Sequence, residues 1–427
     1  MRHPSRIAAL AVVVAVAGPA SAQNLADRVA SASQPRVQFS FAARAEVCGN
    51  GRSFIQAGGS WYGNFGGDFD RREQCADGPV RVVIDRAGRE VISISSYAGP
   101  LPETPQGITD LGRVGTRAAT DYLLGLAERS EGRVSRDAIL PAVLADSVDV
   151  GPRLLAIATN QDAARQTRSS AISWLGRPLD SRERSVQNIA ASLLRIAKDE
   201  DDNQNVRQQA LRTLARLEHG AGTTALMELA RDAQRSWLAR EAVSAINSAG
   251  DPRARQFLRD IVRRAEMPDD VLARAVQTLG GEYATGDDVK LIRDSYARLP
   301  GDRSRDAALS SIAQFGGTEN VRWMLSLARN ADAPIATRRK AVQHAYRGGT
   351  AVADIVKIYD ETTDTQLKDA VMSALVESGE KQATDKLMQI ARSDPSTQMR
   401  RKAISHLGRS NDERVKQFLA ELADRLR

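Results

Sequence analysis

The chain has 427 residues, a formal net charge of +7 and a pI near 9.6, with 42% hydrophobic but only 4% aromatic residues, two cysteines and four histidines. That length exceeds one ordinary domain, and so few Cys and His residues argue against a zinc centre and against Ser-His-Asp or Cys-His catalysis. The basic residues are dispersed and interleaved with Asp and Glu, which argues against nucleic acid as a partner.

Arg2 and Arg6 precede an apolar run from Ile7 to Ala17, broken by Gly18 and Pro19 and followed by Ala20, Ser21 and Ala22. The run is too short to span a bilayer. Charged start, apolar middle and small residues together read as a secretory signal cleaved after Ala22, so the expected location is periplasmic or secreted. Removing the signal lowers the formal charge to +5 and leaves His219, His344 and His406. No later stretch is apolar for long enough to span a membrane, although peripheral contact with an anionic envelope surface stays open.

Residues 23–35 are polar and rich in Ala and Ser, and are expected to form a flexible leader. Residues 36–98 read as a small β-rich module. Val37 to Phe41 alternates, and the β-branched runs Val80–Ile84 and Val91–Ser95 flank a turn at Gly88, as in a hairpin. Cys48 and Cys75 are expected to form a disulfide in an oxidising compartment, worth about 3–4 kcal/mol on the chain-entropy estimate. Trp61, Tyr62 and Phe65 sit in a glycine-rich loop and suit either the module's core or a recognition surface. Asp68, Asp70 and Asp77 fit no EF-hand spacing and read as solvated turns. Pro100, Pro102 and Pro105 mark residues 99–108 as a stiff, extended linker or a wrapped loop.

Residues 109–427 are helical and repetitive. Ala138, Ala171, Ala210, Ala242, Ala275, Ala308, Ala341, Ala370 and Ala403 recur at spacings of 33, 39, 32, 33, 33, 33, 29 and 33 residues. Each is followed by an apolar residue four positions on, so each anchors the buried stripe of a helix. A glycine often follows (Gly176, Gly250, Gly280, Gly316, Gly348, Gly379, Gly408) at the cap position that favours positive φ. A second amphipathic helix comes next, as at Leu226–Arg231 and Leu387–Arg392. The acidic run Asp199–Asp202 reads as a solvated loop. Trp323 falls opposite the Met324, Leu325 and Ala328 stripe. It suits an exposed interface anchor or packing against an adjacent unit.

The final unit carries Asp394, Pro395, Arg400, Ala403, Leu407, Gly408, Asp412 and Arg414, and Gly250, Asp251, Pro252 and Arg253 keep the later part of that series. From Thr116 to Arg427 the sequence resembles the HEAT family, most closely the short HEAT-like repeats of the phycocyanobilin-lyase type. The resemblance implies a mostly α fold: a right-handed solenoid of about nine helix pairs behind the β-rich module, with a concave face lined by the second helices. It also implies that Asp162 and Arg168, Asp201 and Arg207, Asp332 and Arg338, and Asp394 and Arg400 contribute to an inter-repeat ladder rather than to a basic binding stripe. The units at Ala341 and Ala370 depart from the pattern. No catalytic, cofactor or metal site stands out, so the leading expectation is a non-catalytic scaffold for a protein partner. The alternatives are an envelope polysaccharide- or lipid-binding module and, third, an enzyme of the HEAT-like group, a lyase or a DNA glycosylase.

Overall fold

A computed structural model describes residues 24–63, 75–177, 183–217, 220–410 and 412–424. The signal segment, Phe65, Asp68, Asp70 and His219 lie outside these residues. The chain forms two compact units. One runs to Ser192 and includes Asp201–Gln209; the other comprises Leu193–Glu200 and the residues from Ala210 onward.

The first unit begins with helix α1 (Leu25–Ala30), where Leu25 and Val29 are buried. The leader is therefore not the flexible segment the sequence predicts. Arg86, itself buried, donates to the carbonyls of Ala30 (2.9 Å), Ala32 (2.8 Å) and Gln34 (2.8 Å) and so pins it down.

Eight strands follow: β1 (Arg36–Phe41), β2 (Cys48–Gly49), β3 (Phe54–Ala57), β4 (Ser60–Gly63), β5 (Ala76–Asp77), β6 (Val80–Ala87), β7 (Glu90–Ala98) and β8 (Ile108–Arg113). They form two four-stranded sheets, ordered β7-β6-β1-β8 and β4-β3-β2-β5. In the first, β6 pairs antiparallel with β7 and β1, and β8 pairs parallel with β1. In the second, β3 and β4 join through Gly58 and Gly59 at φ 52° and 72°, the paired positive values that a two-residue hairpin turn requires. The Cys48–Cys75 disulfide, 5.2 Å between Cα atoms, ties β2 to the residue preceding β5.

The strand region does not stop at residue 98, nor does the helical region begin at 109. Residues 99–107 are the return from β7 to β8, held by a 3.0 Å bond from Gln38 Nε2 to Thr104 Oγ1. The proline-rich stretch is thus a crossover within one sheet. The alternation of β1 assigns one face to Val37, Phe39 and Phe41, but Gln38 and Ser40 are buried as well.

Helices α2 (Thr116–Arg129), α3 (Gly132–Asp137), α4 (Ile139–Val143), α5 (Gly151–Thr159) and α6 (Arg165–Leu175) complete most of this unit. Phe39 meets Tyr122 of α2 edge-on at 6.2 Å. Ala43 bridges to Ala145, and Arg44 donates to the carbonyls of Ala145 (3.0 Å) and Val148 (2.6 Å). Strands and first helices therefore share one unit. The first expected repeat is broken, because Ala138 lies at the joint between α3 and α4. Helices α7 (Glu183–Lys198) and α8 (Gln204–Arg216) come next.

The second unit is built of helix pairs. The first helices are α10 (Ser236–Ile246), α12 (Asp269–Leu279), α14 (Asp302–Phe315), α16 (Ile335–Arg347), α18 (Thr365–Ser378) and α20 (Thr397–Leu407), and each packs against the next. Between and beside them lie α9 (Thr223–Ala230), α11 (Pro252–Arg264), α13 (Gly286–Ser295), α15 (Thr318–Arg329), α17 (Val352–Glu361), α19 (Lys381–Ser393) and α21 (Glu413–Asp424). The anchors Ala242, Ala275, Ala308, Ala341, Ala370 and Ala403 are all buried, none more than 4% exposed. A methyl side chain there lets successive first helices approach closely while the flanking Leu, Ile and Val residues fill the layer.

The glycines that follow the first helices do two different jobs. Gly379 adopts φ 62° and ψ 4°, as a left-handed cap requires, and Gly316 takes φ 73° with an extended ψ of −158°, a conformation that also favours glycine. Gly280 has φ −89° and needs no such freedom. A Cβ there would overlap Ser311 on α14, so this glycine serves close helix approach.

Candidate functional site

Charge along the repeats goes largely into links between neighbouring units. Arg168 forms a two-pronged pair with Asp202, at 2.7 and 2.6 Å, with side chains only 5% and 3% exposed. It also donates from Nε to Ala158 O at 3.1 Å, at the C-terminal end of α5. Arg338 and Arg305 repeat that last contact on Ala328 O and Leu299 O, both at 2.9 Å. At Arg168, Arg305 and Arg338, an arginine three before the anchor thus satisfies a carbonyl that the preceding helix leaves open. Arg207 is also buried.

The carboxylate partners differ from those the repeat pattern suggests. Asp202, not Asp162 or Asp201, receives Arg168, and the Asp199–Asp202 segment is not simply a solvated loop. Asp162 and Asp332 are exposed and make no ion pair with Arg168 or Arg338. Asp394 points back to the preceding unit, accepting from Tyr359 Oη at 2.8 Å and lying 3.5 Å from Lys368 Nζ. Arg400 donates to the Asp394 carbonyl (2.6 Å) rather than to its carboxylate. Burial works against ionisation of Asp394. The Ser396 N–H, Tyr359 and Lys368 outweigh it and hold the carboxyl below the usual range.

The most heavily bonded carboxylate is one that sequence reasoning missed. Asp288, fully buried at the start of α13, accepts from Arg259 Nε (2.7 Å), Thr285 Oγ1 (2.6 Å), the Thr285 N–H (2.9 Å) and Arg255. Burial alone would raise its pKa, but these donors overcome that term and hold it well below the usual carboxylate range. Arg255 and Arg259 lie on α11, so one side chain both caps α13 and joins two successive second helices. The Thr285 and Asp288 capping box was the available signal.

The aromatic candidates are placed as follows. Trp323 is half-buried, with its ring edge-on to Tyr296 of the preceding unit at 5.2 Å, so it is not the exposed anchor. Trp61 is 38% exposed and leans on Phe54 at 5.0 Å. Tyr62 is half-buried, 5.6 Å from Trp174, and Arg177 lies over both rings at 5.3 and 4.2 Å. The exposed apolar side chains of the second unit are instead Tyr283 (68%), Phe315 (47%) and Val376 (42%). All three stand at or just beyond the C-terminal ends of first helices. His344 is buried 3.2 Å from Asp306. Among the described residues no three His, Cys, Asp or Glu side chains gather as a metal would require.

The first unit holds a cleft of about 1380 Å³. One wall is Gln166, Ser169, Ser170, Ser173, Trp174 and Arg177, a set spaced by three and four residues and therefore one face of α6 and its extension. Arg133, Arg136, Asp137 and Leu140 repeat that spacing from α3 to α4. Tyr62 on β4 and Ser95, Ser96 and Tyr97 on β7 form the strand side, with Asn205 and Gln209 of α8 contributing polar groups. Five arginines line it: Arg52, Arg133, Arg136, Arg165 and Arg177. Among the described residues only Asp137 opposes them, and it pairs with Arg136 at 3.1 Å. The Tyr62 hydroxyl is buried without a hydrogen-bond partner among the described residues.

The HEAT-repeat family pattern matches residues 189–280 and 352–425. No curated protein matches the chain. Solved structures similar to it include the complex of CpcE and CpcF of phycocyanin lyase from Nostoc sp. PCC7120, at 18% identity over 61% of this chain and 95% of that one, with a TM-score of 0.27. Human deoxyhypusine hydroxylase in complex with glycerol shows 16% identity over 60% of this chain and 94% of that one, with a TM-score of 0.25. At such TM-scores neither likeness bears on activity.

Proposed function

We propose that this chain, which carries HEAT repeats over residues 189–280 and 352–425, is an exported, non-catalytic scaffold that binds a protein partner through its repeat array. The observation that carries this reading is the row of exposed apolar side chains on the second unit. Tyr283 follows α12 and Phe315 ends α14, two helices that pack side by side, and Val376 stands near the end of α18. Large rings left in water on adjacent elements are the usual anchors of a protein interface. The buried ion-pair links behind them supply a stiff support. Export follows from the sequence of residues 1–22.

A photo-crosslinking residue placed at 283, at 315 and, as a control, at the exposed Glu421 tests this in the producing cell. One discrete protein adduct from 283 and 315, absent at 421, is the expected result. No adduct at any position, or the same smear at all three, removes the reading. Fractionation with N-terminal sequencing tests export separately, the expected start being Gln23.

A further inference from the structure

We propose that the arginine-lined cleft of the first unit is a binding site for an acidic polysaccharide. This goes beyond the repeat-array reading and does not depend on it. Every cation in the cleft wall among the described residues is an arginine, whose planar fork matches carboxylate and sulfate oxygens in pairs. Arg52, Arg133 and Arg165 are exposed and make no ion pair among the described residues. Three such charges in one concavity, opposed by one carboxylate already paired, make a positive field that low-dielectric walls strengthen.

The rest of the wall narrows the ligand. A cavity of about 1380 Å³ exceeds the roughly 300–1,000 Å³ of a small-molecule pocket and suits several linked residues of a polymer. Ser95, Ser96, Ser169, Ser170 and Ser173 with Gln166 offer closely spaced hydroxyl and amide groups, which suit ring hydroxyls. Tyr62 adds a hydroxyl that has no partner among the described residues. A peptide would want an apolar socket, yet Ile55 and Ile94 of the lining are buried and Leu140 is half-buried. Single-stranded nucleic acid would want open ring faces for its bases, but Trp174 and Tyr62 lie against each other with Arg177 over them.

Binding is measured by calorimetric titration of the full mature chain with oligogalacturonate, dextran sulfate, neutral dextran, poly-glutamate and a single-stranded oligonucleotide. The variant is Arg52→Gln with Arg133→Gln and Arg165→Gln, three exposed positions whose change leaves the core intact. The expected result is binding of oligogalacturonate or dextran sulfate that weakens with salt and falls about tenfold or more in the triple variant. A response to oligogalacturonate assigns a carboxylated glycan, and a response to dextran sulfate alone a sulfated one. The proposal is overturned if neither acidic glycan binds, if neutral dextran binds equally, if poly-glutamate or the oligonucleotide binds more tightly, or if the variant binds as the parent does. Crosslinking from position 283 in the triple variant is expected to be unchanged, so failure here leaves the scaffold reading standing.

Discussion

Replacing Asp288 tests whether the second helices are held together by a buried carboxylate. Asp288→Ala removes two charge-assisted bonds from Arg259 and Arg255 and the capping contacts with Thr285. Bonds to charged groups contribute about 1.5–3 kcal/mol each and an N-terminal cap about 1 kcal/mol. Both guanidinium groups remain about a third exposed, at 27% and 30%, so water recovers much of their share once the carboxylate is gone. The net cost is therefore roughly 2–4 kcal/mol. Asp288→Asn keeps an acceptor for Thr285 and is expected to cost less. Urea unfolding of both variants, with hydrogen exchange read over α11 and α13, measures this directly. Linkage fixes the sign. The folded carboxyl titrates below the unfolded value of about 3.9, so its stabilisation is present above pH 4 and fades as pH falls through the folded value. The gap between the parent and Asp288→Ala should narrow as the pH drops below 4. A cost under about 1 kcal/mol at pH 7, or a gap that stays constant down to pH 2, refutes the reasoning.

Three further substitutions probe other links. Arg168→Met strands Asp202 in a dry site and is expected to cost about 3–5 kcal/mol, with Asp202→Asn in the same chain recovering part of it; additive losses in a double-mutant cycle would show that the pair is not coupled. Gly301→Ala places a Cβ against the Asp269 carboxylate, which accepts from Ser304 Oγ at 2.5 Å and from the N–H groups of Arg303 and Ser304 at the start of α14. A loss of about 1–3 kcal/mol is expected, and an unchanged urea midpoint would refute that packing. Arg86→Met removes the donors that hold the leader carbonyls, so limited proteolysis should clip residues 24–34 faster than in the parent, with equal rates refuting the pinning role.

The repeat was legible because helical burial imposes a period on the sequence itself. The anchors Ala171 to Ala403 needed only a small residue, an apolar residue four later and a recurring interval. The disulfide was legible from an even pair of cysteines and the expectation of an oxidising compartment. What stayed hidden depends on contacts distant in sequence. Strand β8 presents few buried residues, and its pairing with β1 spans some seventy residues. The leader looks polar because its order comes from backbone carbonyls that accept from Arg86, which leave no trace in side-chain patterning. Asp202 was missed by one position in an acidic run, where periodicity cannot choose between neighbours. Trp323 stayed open between exposure and packing because the ring that meets it, Tyr296, lies in the preceding repeat. The cleft draws its arginines from Arg52 to Arg177, and only its α3–α4 and α6 walls carried local spacings, with nothing in the sequence to bring the two together.

The two units also differ in how much chain must exist before each can close. In the second, the ties run to partners 33 residues away for Arg255 and Asp288, 34 for Arg303 and Asp269, and 35 for Tyr359 and Asp394. Each repeat can therefore dock as soon as the next has been made, and growth proceeds by short loops. In the first unit, Arg44 waits for carbonyls 101 and 104 residues downstream, and the entropy of closing so long a loop precedes any return. A chain delivered N-terminus first thus emerges with its slowest-closing part leading. Its sheets can pair within the first 113 residues, but Ala43 and Arg44 stay without their partners until Ala145 and Val148 arrive. Folding yield should accordingly depend on protecting the first hundred and fifty residues, while the repeats behind them assemble without help.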